Sequence, residues 1–485
     1  MASIWSETAQ RVREYPVLQS DKKVEAAVIG GGLAGILTAF QLQARGVDVI
    51  VLEADRIGSG QTKNTTAKIT SQHHLIYSKL SETMGEEKTR QYAMANEQAI
   101  REYRRIIQEQ KIDCAFEESC AYLYSQSRQA AETLEREAQA AFRMGICAEF
   151  TEKTQLPFSA AGAVRFDGQA QFHPLRFLYG IAENLTVFEH TRVISVREHR
   201  IETERAAVTA EHIVFASHFP FVNFPGFYFA RMHQERSYVL ALENAPELQG
   251  MYLGIGEDAL SFRLFQKTLL LGGGSHRTGE NPGGKYGFLC SQASRLFPQS
   301  RVALHWSAQD CTTLDGVPYI GRFSRLIPDW YVATGFGKWG MTGSMAAAML
   351  LADQITGREN PCAEVFSPLR FTPAASAKTF FIDMAHAVRG ITKRVFDSAP
   401  PEFEMLAAGQ GKIISYRGQK LGAYKHETGK IYTVSVRCPH LGCQLAWNPD
   451  EKSWDCPCHG SRFDYQGRLL DNPAQQHLQG DSHET

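Results

Sequence analysis

Between Cys438 and Ser461 the chain places four cysteines and two histidines in two short runs, Cys438-Pro-His440-Leu-Gly-Cys443 and Cys456-Pro-Cys458-His459-Gly-Ser461. Each run presents a cysteine and a histidine at nearly equal spacing. Thiolate and imidazole together hold zinc or iron–sulfur clusters, so the residue types alone leave both metals open. The other cysteines, Cys114, Cys120, Cys147, Cys290, Cys311 and Cys362, are scattered. Crowding of this kind reads as metal or redox chemistry before it reads as structural bridging.

A second constellation lies near the start. Gly30, Gly32 and Gly35 satisfy G-x-G-x-x-G, and Glu53 follows at the end of the next apolar run. The first glycine permits a tight turn, the second lets backbone approach a pyrophosphate, and the third lets helix and strand pack closely. The phosphates then meet amides at a helix N-terminus, and a carboxylate at Glu53 accepts ribose hydroxyls.

These residues need a frame to position them. VEAAVI (24–29), the helix-forming ILTAFQLQARG and VDVIVL make a βαβ unit within about 30 residues. Residues 82–110 and 128–145 read as helices, and short strands dominate from 146 to 272. A strand at 330–334 leads into a glycine-rich turn and the helix MTGSMAAAMLLADQITG. The stretch 361–402 holds Pro361, Pro368, Pro373, Pro400 and Pro401 around one helical segment and reads as an interdomain linker. That helix either covers a seam or meets a membrane surface through Lys378, Arg389, Lys393 and Arg394. Residues 403–480 read as a small β domain holding the clustered cysteines. The expected architecture is therefore α/β, a Rossmann-like dinucleotide-binding domain with a β-rich substrate domain interleaved over 24–360, plus a small all-β domain.

Composition sets bounds. At 485 residues the chain has room for about three domains. Lys plus Arg number 51 against 52 acidic residues, which argues against a nucleic-acid binder. No run of about 18 apolar residues suits a spanning helix, and the start lacks the apolar core of a secretory signal. The default expectation is cytoplasmic. No Ser–His–Asp order suggests hydrolysis.

Two family resemblances sharpen this reading. The segment EADRIGSGQT, with Gly58, Ser59, Gly60 and Thr62, resembles the FAD-dependent oxidoreductases of the D-amino-acid oxidase/glycine oxidase superfamily. LDGVPYIGR (314–322) and WYVATGFGKWGMTGS (330–344) add a second match. In that family these C-terminal segments close over the flavin ring, which implies flavin contacts from Gly335, Gly337, Gly340, Met341 and Thr342. Where some members attach FAD through a histidine, this chain has Asn64, which implies dissociable FAD; His73 and His74 lie farther on. The typical family reaction is oxidation of an amine or amino-acid C–N bond. The resemblance suggests Arg263 as a carboxylate-binding residue, with Tyr238, Lys338 and Trp339 near flavin or substrate. The alternatives are a structural arginine, a core tyrosine and a helix cap.

The two Cys/His runs resemble those of the Rieske [2Fe–2S] family. The resemblance implies Cys438 and Cys456 on one iron, His440 and His459 on the other, and a Cys443–Cys458 disulfide tying the loops together. High-potential relatives carry a tyrosine where this chain has Phe463. Without that donor the cluster is expected within the Rieske range of about −150 to +300 mV but below its top.

FAD beside a one-electron cluster favours a dehydrogenase over an oxidase, and the sequence alone does not decide between them. Such a dehydrogenase would oxidise a small amine or amino acid at FAD and pass electrons singly to the cluster and an external acceptor. A second reading makes the chain a redox-sensing or electron-carrier module with no substrate of its own.

Overall fold

The computed structural model describes residues 2–11, 13–396 and 406–483. Strand β1 (Lys22–Ile29), helix α1 (Leu33–Gln43) and strand β2 (Val49–Leu52) form the N-terminal βαβ unit. β1 and β2 are parallel, with Ala26 opposite Val49 and Ile29 opposite Leu52. Val24, Ala26, Ala27, Val28 and Ile29 of β1 and all of β2 are apolar and buried, as a parallel sheet covered on both faces requires, while Lys22, Lys23 and Glu25 are exposed. Around them the sheet runs Tyr319–Arg322, Trp330–Thr334, Ala207–Phe215, β1, β2, Thr186–Phe188. A chain segment almost 300 residues downstream thus returns to the first fold unit, since Trp330–Thr334 pairs in parallel with Ala207–Phe215, the neighbour of β1.

The helical stretch expected at 82–110 is two helices. Ile76–Met84 ends at Gly85, whose φ is +85°, and α2 (Glu86–Glu109) begins directly after it. Two longer elements define the second layer. Strand β3 (Met232–Glu243) pairs antiparallel with strand β4 (Arg301–Thr313) in a nine-stranded, mostly antiparallel sheet. Helix α3 (Gly340–Ile355), alanine-rich and buried, packs against α1. The linker segment forms helix α4 (Pro373–Phe396). Pro400, Pro401 and the boundary expected at 402/403 lie outside the described residues.

The C-terminal part consists of two four-stranded sheets spanning Gly411–His483. Its core joins Cys438, Cys443, Cys456 and Cys458 to Val434, Trp454 and Phe463. Among the described residues, no helix is long and apolar enough to cross a membrane.

Candidate functional site: a dinucleotide cavity joined to a Cys–His loop pair

The glycines at the β1–α1 turn leave no room for side chains. A Cβ on Gly35 would stand 1.9 Å from the Gly30 carbonyl oxygen, so α1 approaches the strand end only because that residue is glycine. Gly30 itself has φ +114°. Glu53, from the end of β2, accepts hydrogen bonds from the amides of Gly31 (2.6 Å) and Asp55 (2.8 Å). Burial raises its carboxyl pKa, and these two amides act against that rise. The Thr62 hydroxyl accepts from the amide of Leu33 at the start of α1 (3.0 Å), tying the following loop to the helix N-terminus.

Gly30, Gly32, Glu53, Ser59, Gly60 and Thr62 line one end of a cavity of about 850 Å³. Gly337, Lys338, Gly340 and Met341 line it from the returning C-terminal segment. Gly35 and Gly58 serve the packing behind it, and Gly335 (φ +74°) and Thr342 lie just outside the wall. Thr342 donates to the Thr70 carbonyl (2.9 Å). Asn64 lies on the cavity wall. His73 is buried; it donates to the Thr70 carbonyl, accepts from the Tyr92 hydroxyl and stacks on Trp339 at 4.7 Å. His74, Trp339 and Lys338 line the cavity together.

Of the expected substrate residues, Tyr238, Lys338 and Trp339 line the cavity and Arg263 does not. Tyr238 lines the cavity, but its hydroxyl is held by Asn281 (2.9 Å) and His276 (3.1 Å). Lys338 donates to Ser275 (2.7 Å). The expectation for Arg263 is corrected. Its guanidinium is buried away from the cavity wall and commits four of its five N–H donors to the carbonyls of Thr66, Ala67 and Phe172 and to Gln171 Oε1. It braces the segment that carries Lys68. That lysine reaches the cavity wall and donates to Ser261 Oγ (2.6 Å) and the Tyr252 carbonyl (2.9 Å). Burial, with Arg263 adding repulsion, pulls its pKa down to about 7. Among the described residues no carboxylate lies within ion-pair distance of it. Nothing in the spacing of the sequence singled Lys68 out; only its burial beside a cavity does.

The two Cys–His loops are built alike. The amide of Cys438 donates to the carbonyl of Cys443, and that of Gly442 to Cys438; the amide of Cys456 donates to Ser461, and that of Gly460 to Cys456. Gly442 and Gly460 share φ +80°. The turn geometry points the amides of His440 and Leu441 at the Cys438 sulfur, and those of Cys458 and His459 at the Cys456 sulfur. The Cys438 and Cys456 thiols are unbridged and in hydrogen-bond contact, and the Ser461 hydroxyl also reaches Cys438. Cys443 and Cys458 form a disulfide across the loops. The sulfurs of Cys443, Cys456 and Cys458 lie within 4.8 Å of one another, but the disulfide removes two of them as metal ligands.

The histidines complete the set. Their rings stand 4.9 Å apart at 89°. His440 Nε2 donates to Asn223 Oδ1 (2.8 Å), so its Nδ1 carries the lone pair. The Nδ1 atoms of both His440 and His459 are buried without a hydrogen-bond partner. Two thiols outside the disulfide and two buried, partnerless imidazole nitrogens on the paired loops fit a cluster ligated by Cys₂His₂.

The two sites share a wall. Leu469, Leu470, Asp471, Asn472 and Gln475 of the C-terminal part line the dinucleotide cavity. Gln61 Nε2 donates to Asp471 Oδ1 (2.9 Å). Gln309 lines the cavity and its Nε2 donates to the Gly460 carbonyl (2.8 Å). Gln234 Nε2 donates to the carbonyl of His459 itself (2.6 Å). Arg236, buried in β3, pairs with Glu451 (2.5 Å), which also meets Arg462 (3.2 Å).

A Rossmann-type cavity joined through buried polar contacts to a Cys–His loop pair defines a flavoprotein oxidoreductase carrying an iron–sulfur domain. Comparison with known proteins agrees. Residues 25–354 match the FAD dependent oxidoreductase (DAO) family and residues 401–480 the Rieske [2Fe-2S] domain. The chain belongs to the DAO family of FAD-dependent oxidoreductases, with a C-terminal Rieske domain. It is 35% identical over 483 residues to the Rieske 2Fe-2S iron–sulfur protein YhfW of Bacillus subtilis, covering 96% of this chain and 95% of that one. Its fold is similar to glycine oxidase from Geobacillus kaustophilus (TM-score 0.62, 20% identity, 72% of this chain and 99% of that one). It is also similar to L-proline dehydrogenase from P. horikoshii (TM-score 0.60, 17% identity, 72% and 98%). The chain is an oxidoreductase whose cofactors are FAD and a [2Fe–2S] cluster.

Proposed function

We propose that the chain is a dehydrogenase of small amines or amino acids that passes electrons from FAD, one at a time, to its Rieske cluster and on to an external acceptor. When bound, FAD takes two electrons from a C–N bond, and the cluster takes one. Gly30, Gly32, Gly35, Glu53, Gly58, Ser59, Gly60, Thr62 and the 335–342 segment hold the dinucleotide in this reading. Cys438 and Cys456 hold one iron, His440 and His459 the other. Fold neighbours named as glycine oxidase and L-proline dehydrogenase support the substrate class. Lys68 supplies a buried cation for a substrate carboxylate, and Tyr238, Lys338 and Trp339 shape the rest of the cavity.

The observation that carries the reading is Gln309. It stands on the cavity wall and bonds the ligand loop at Gly460, one residue from His459. A direct hydrogen bond thus connects the cavity wall to the ligand loop. Anaerobic rapid mixing with candidate amines and amino acids tests this: flavin bleaching should be followed by cluster reduction. Gln309→Leu should slow the second phase and spare the first. A panel in which no amine or amino acid bleaches the flavin would leave only the carrier reading.

A further inference from the structure

Helix α4 is turned inside out. Among its described side chains, those that pair with the rest of the protein are polar: Asp383 pairs with Arg277 (2.6 Å) and His233 (3.2 Å), and His386 pairs with Glu280 (2.6 Å). The large side chains described as exposed on it are apolar. Phe381 is 70% exposed, Met384 49%, Ile382 46% and Phe380 37%, and Phe371 just ahead of the helix is 89% exposed. A helix on a water-facing surface has the opposite arrangement.

A neighbouring loop extends this face. α4 packs on the Tyr228–Ala230 turn, and the preceding loop exposes Phe224 (63%) and Phe227 (48%). Seven of the thirteen large apolar side chains exposed among the described residues fall in these two segments. Concentration of this kind marks an interaction surface rather than scatter. The face also borders the cluster. Asn223 bonds His440, Phe229 meets the His459 ring at 5.9 Å, and Arg277 bonds both Asp383 of α4 and the Pro457 carbonyl of the ligand loop.

Charge selects the occupant. The helix sequence carries Lys378, Arg389, Lys393 and Arg394 against one acid, Asp383, which is already paired inward. Exposed aromatics on a helix of net positive charge match the apolar and anionic layers of a membrane interface. We infer that α4 and the Phe224–Phe227 loop form a docking face for an anionic lipid bilayer, which would bring the cluster-bearing loops to the membrane surface. This face stands on its own residues and not on the electron route proposed above.

Flotation of the full-length holoprotein with vesicles tests it. The protein should float with phosphatidylcholine vesicles containing phosphatidylglycerol, and with neutral vesicles far less. High salt should reduce the bound fraction. The double variant Phe381→Glu/Met384→Glu should lower binding about tenfold while keeping the flavin absorbance and the cluster spectrum. Phe142→Glu, at a site 70% exposed and outside the patch, should bind like wild type. Equal flotation by the double variant, or none by wild type on anionic vesicles, overturns the inference. So does a wild-type dimer that the double variant breaks without any vesicle binding, which would make the face a contact between two copies.

Discussion

Asn223 Oδ1 accepts a hydrogen bond from His440 Nε2 across 2.8 Å, so a residue of the flavin-binding part sets the tautomer of a cluster histidine in the other. An acceptor behind an imidazole makes its metal-facing nitrogen a better donor. Asn223→Leu should weaken that donation and raise the cluster midpoint potential by tens of millivolts, read by EPR-monitored redox titration. An unchanged potential with an intact cluster spectrum would show that the bond has no electronic effect.

Lys68 faces the cavity with hydroxyl and carbonyl partners. A substrate carboxylate would give it the counter-charge. Lys68→Met should raise KM for amino-acid substrates by roughly tenfold or more, as expected for loss of a hydrogen bond to a charged group. The corresponding amines lacking the carboxylate should be little affected. With the free pKa near 7, KM for carboxylates should also climb above neutral pH in the wild type and stay flat in the variant. Equal losses for amines and amino acids would remove Lys68 from substrate recognition.

Arg236, Glu451 and Arg462 form a buried charged junction between the two parts. Burial pushes the Glu451 carboxyl up, but Arg462 and Arg236 outweigh it and hold it at about 2. Arg236→Leu strands part of this network and should cost about 3–5 kcal/mol, read as a lower midpoint in denaturant unfolding. Because the folded pKa lies below the ordinary 4.5, the Glu451 contribution is fully present above pH 4.5. It should fade as pH falls toward 2, and Glu451→Gln should remove that part of the acid sensitivity. A wild type and variant that lose stability in parallel would assign the acid response elsewhere.

His233 ties β3 to α4. Burial pulls its pKa down, yet Asp383 and Glu235 outweigh that and raise it from 6.5 to about 9; Arg277, facing the same Asp383, works against them. A raised folded pKa gives full stabilisation below 6.5 and loses it as pH climbs through about 9. The thermal-stability advantage of wild type over His233→Gln should therefore shrink across that window. A constant difference from pH 6 to 10 would exclude a charged His233.

Much of this was legible in the chain alone. The glycine spacing at 30, 32 and 35 announces a dinucleotide turn because few residues tolerate so tight a contact; at Gly35 any Cβ would strike backbone. The Cys–His runs announce a metal pair because both loops close through the same local hydrogen bonds, which five-residue spacing determines. Local geometry and periodicity are written in neighbours along the chain, so a dinucleotide turn and a Cys–His metal centre follow from them, and the family resemblance of those motifs implies FAD and the [2Fe–2S] cluster. What sequence order could not settle is long-range. Arg263 lost its expected role because carbonyls from Thr66, Ala67 and Phe172 converge on it only in the folded state. Lys68, Asn223 and Gln309 acquire their positions from segments scattered over hundreds of residues. The inverted face of α4 is likewise visible only once Arg277, His233 and Glu280 show which side turns inward. Partners distant in sequence meet through the packing of whole layers, and no short-range pattern encodes which of them will touch.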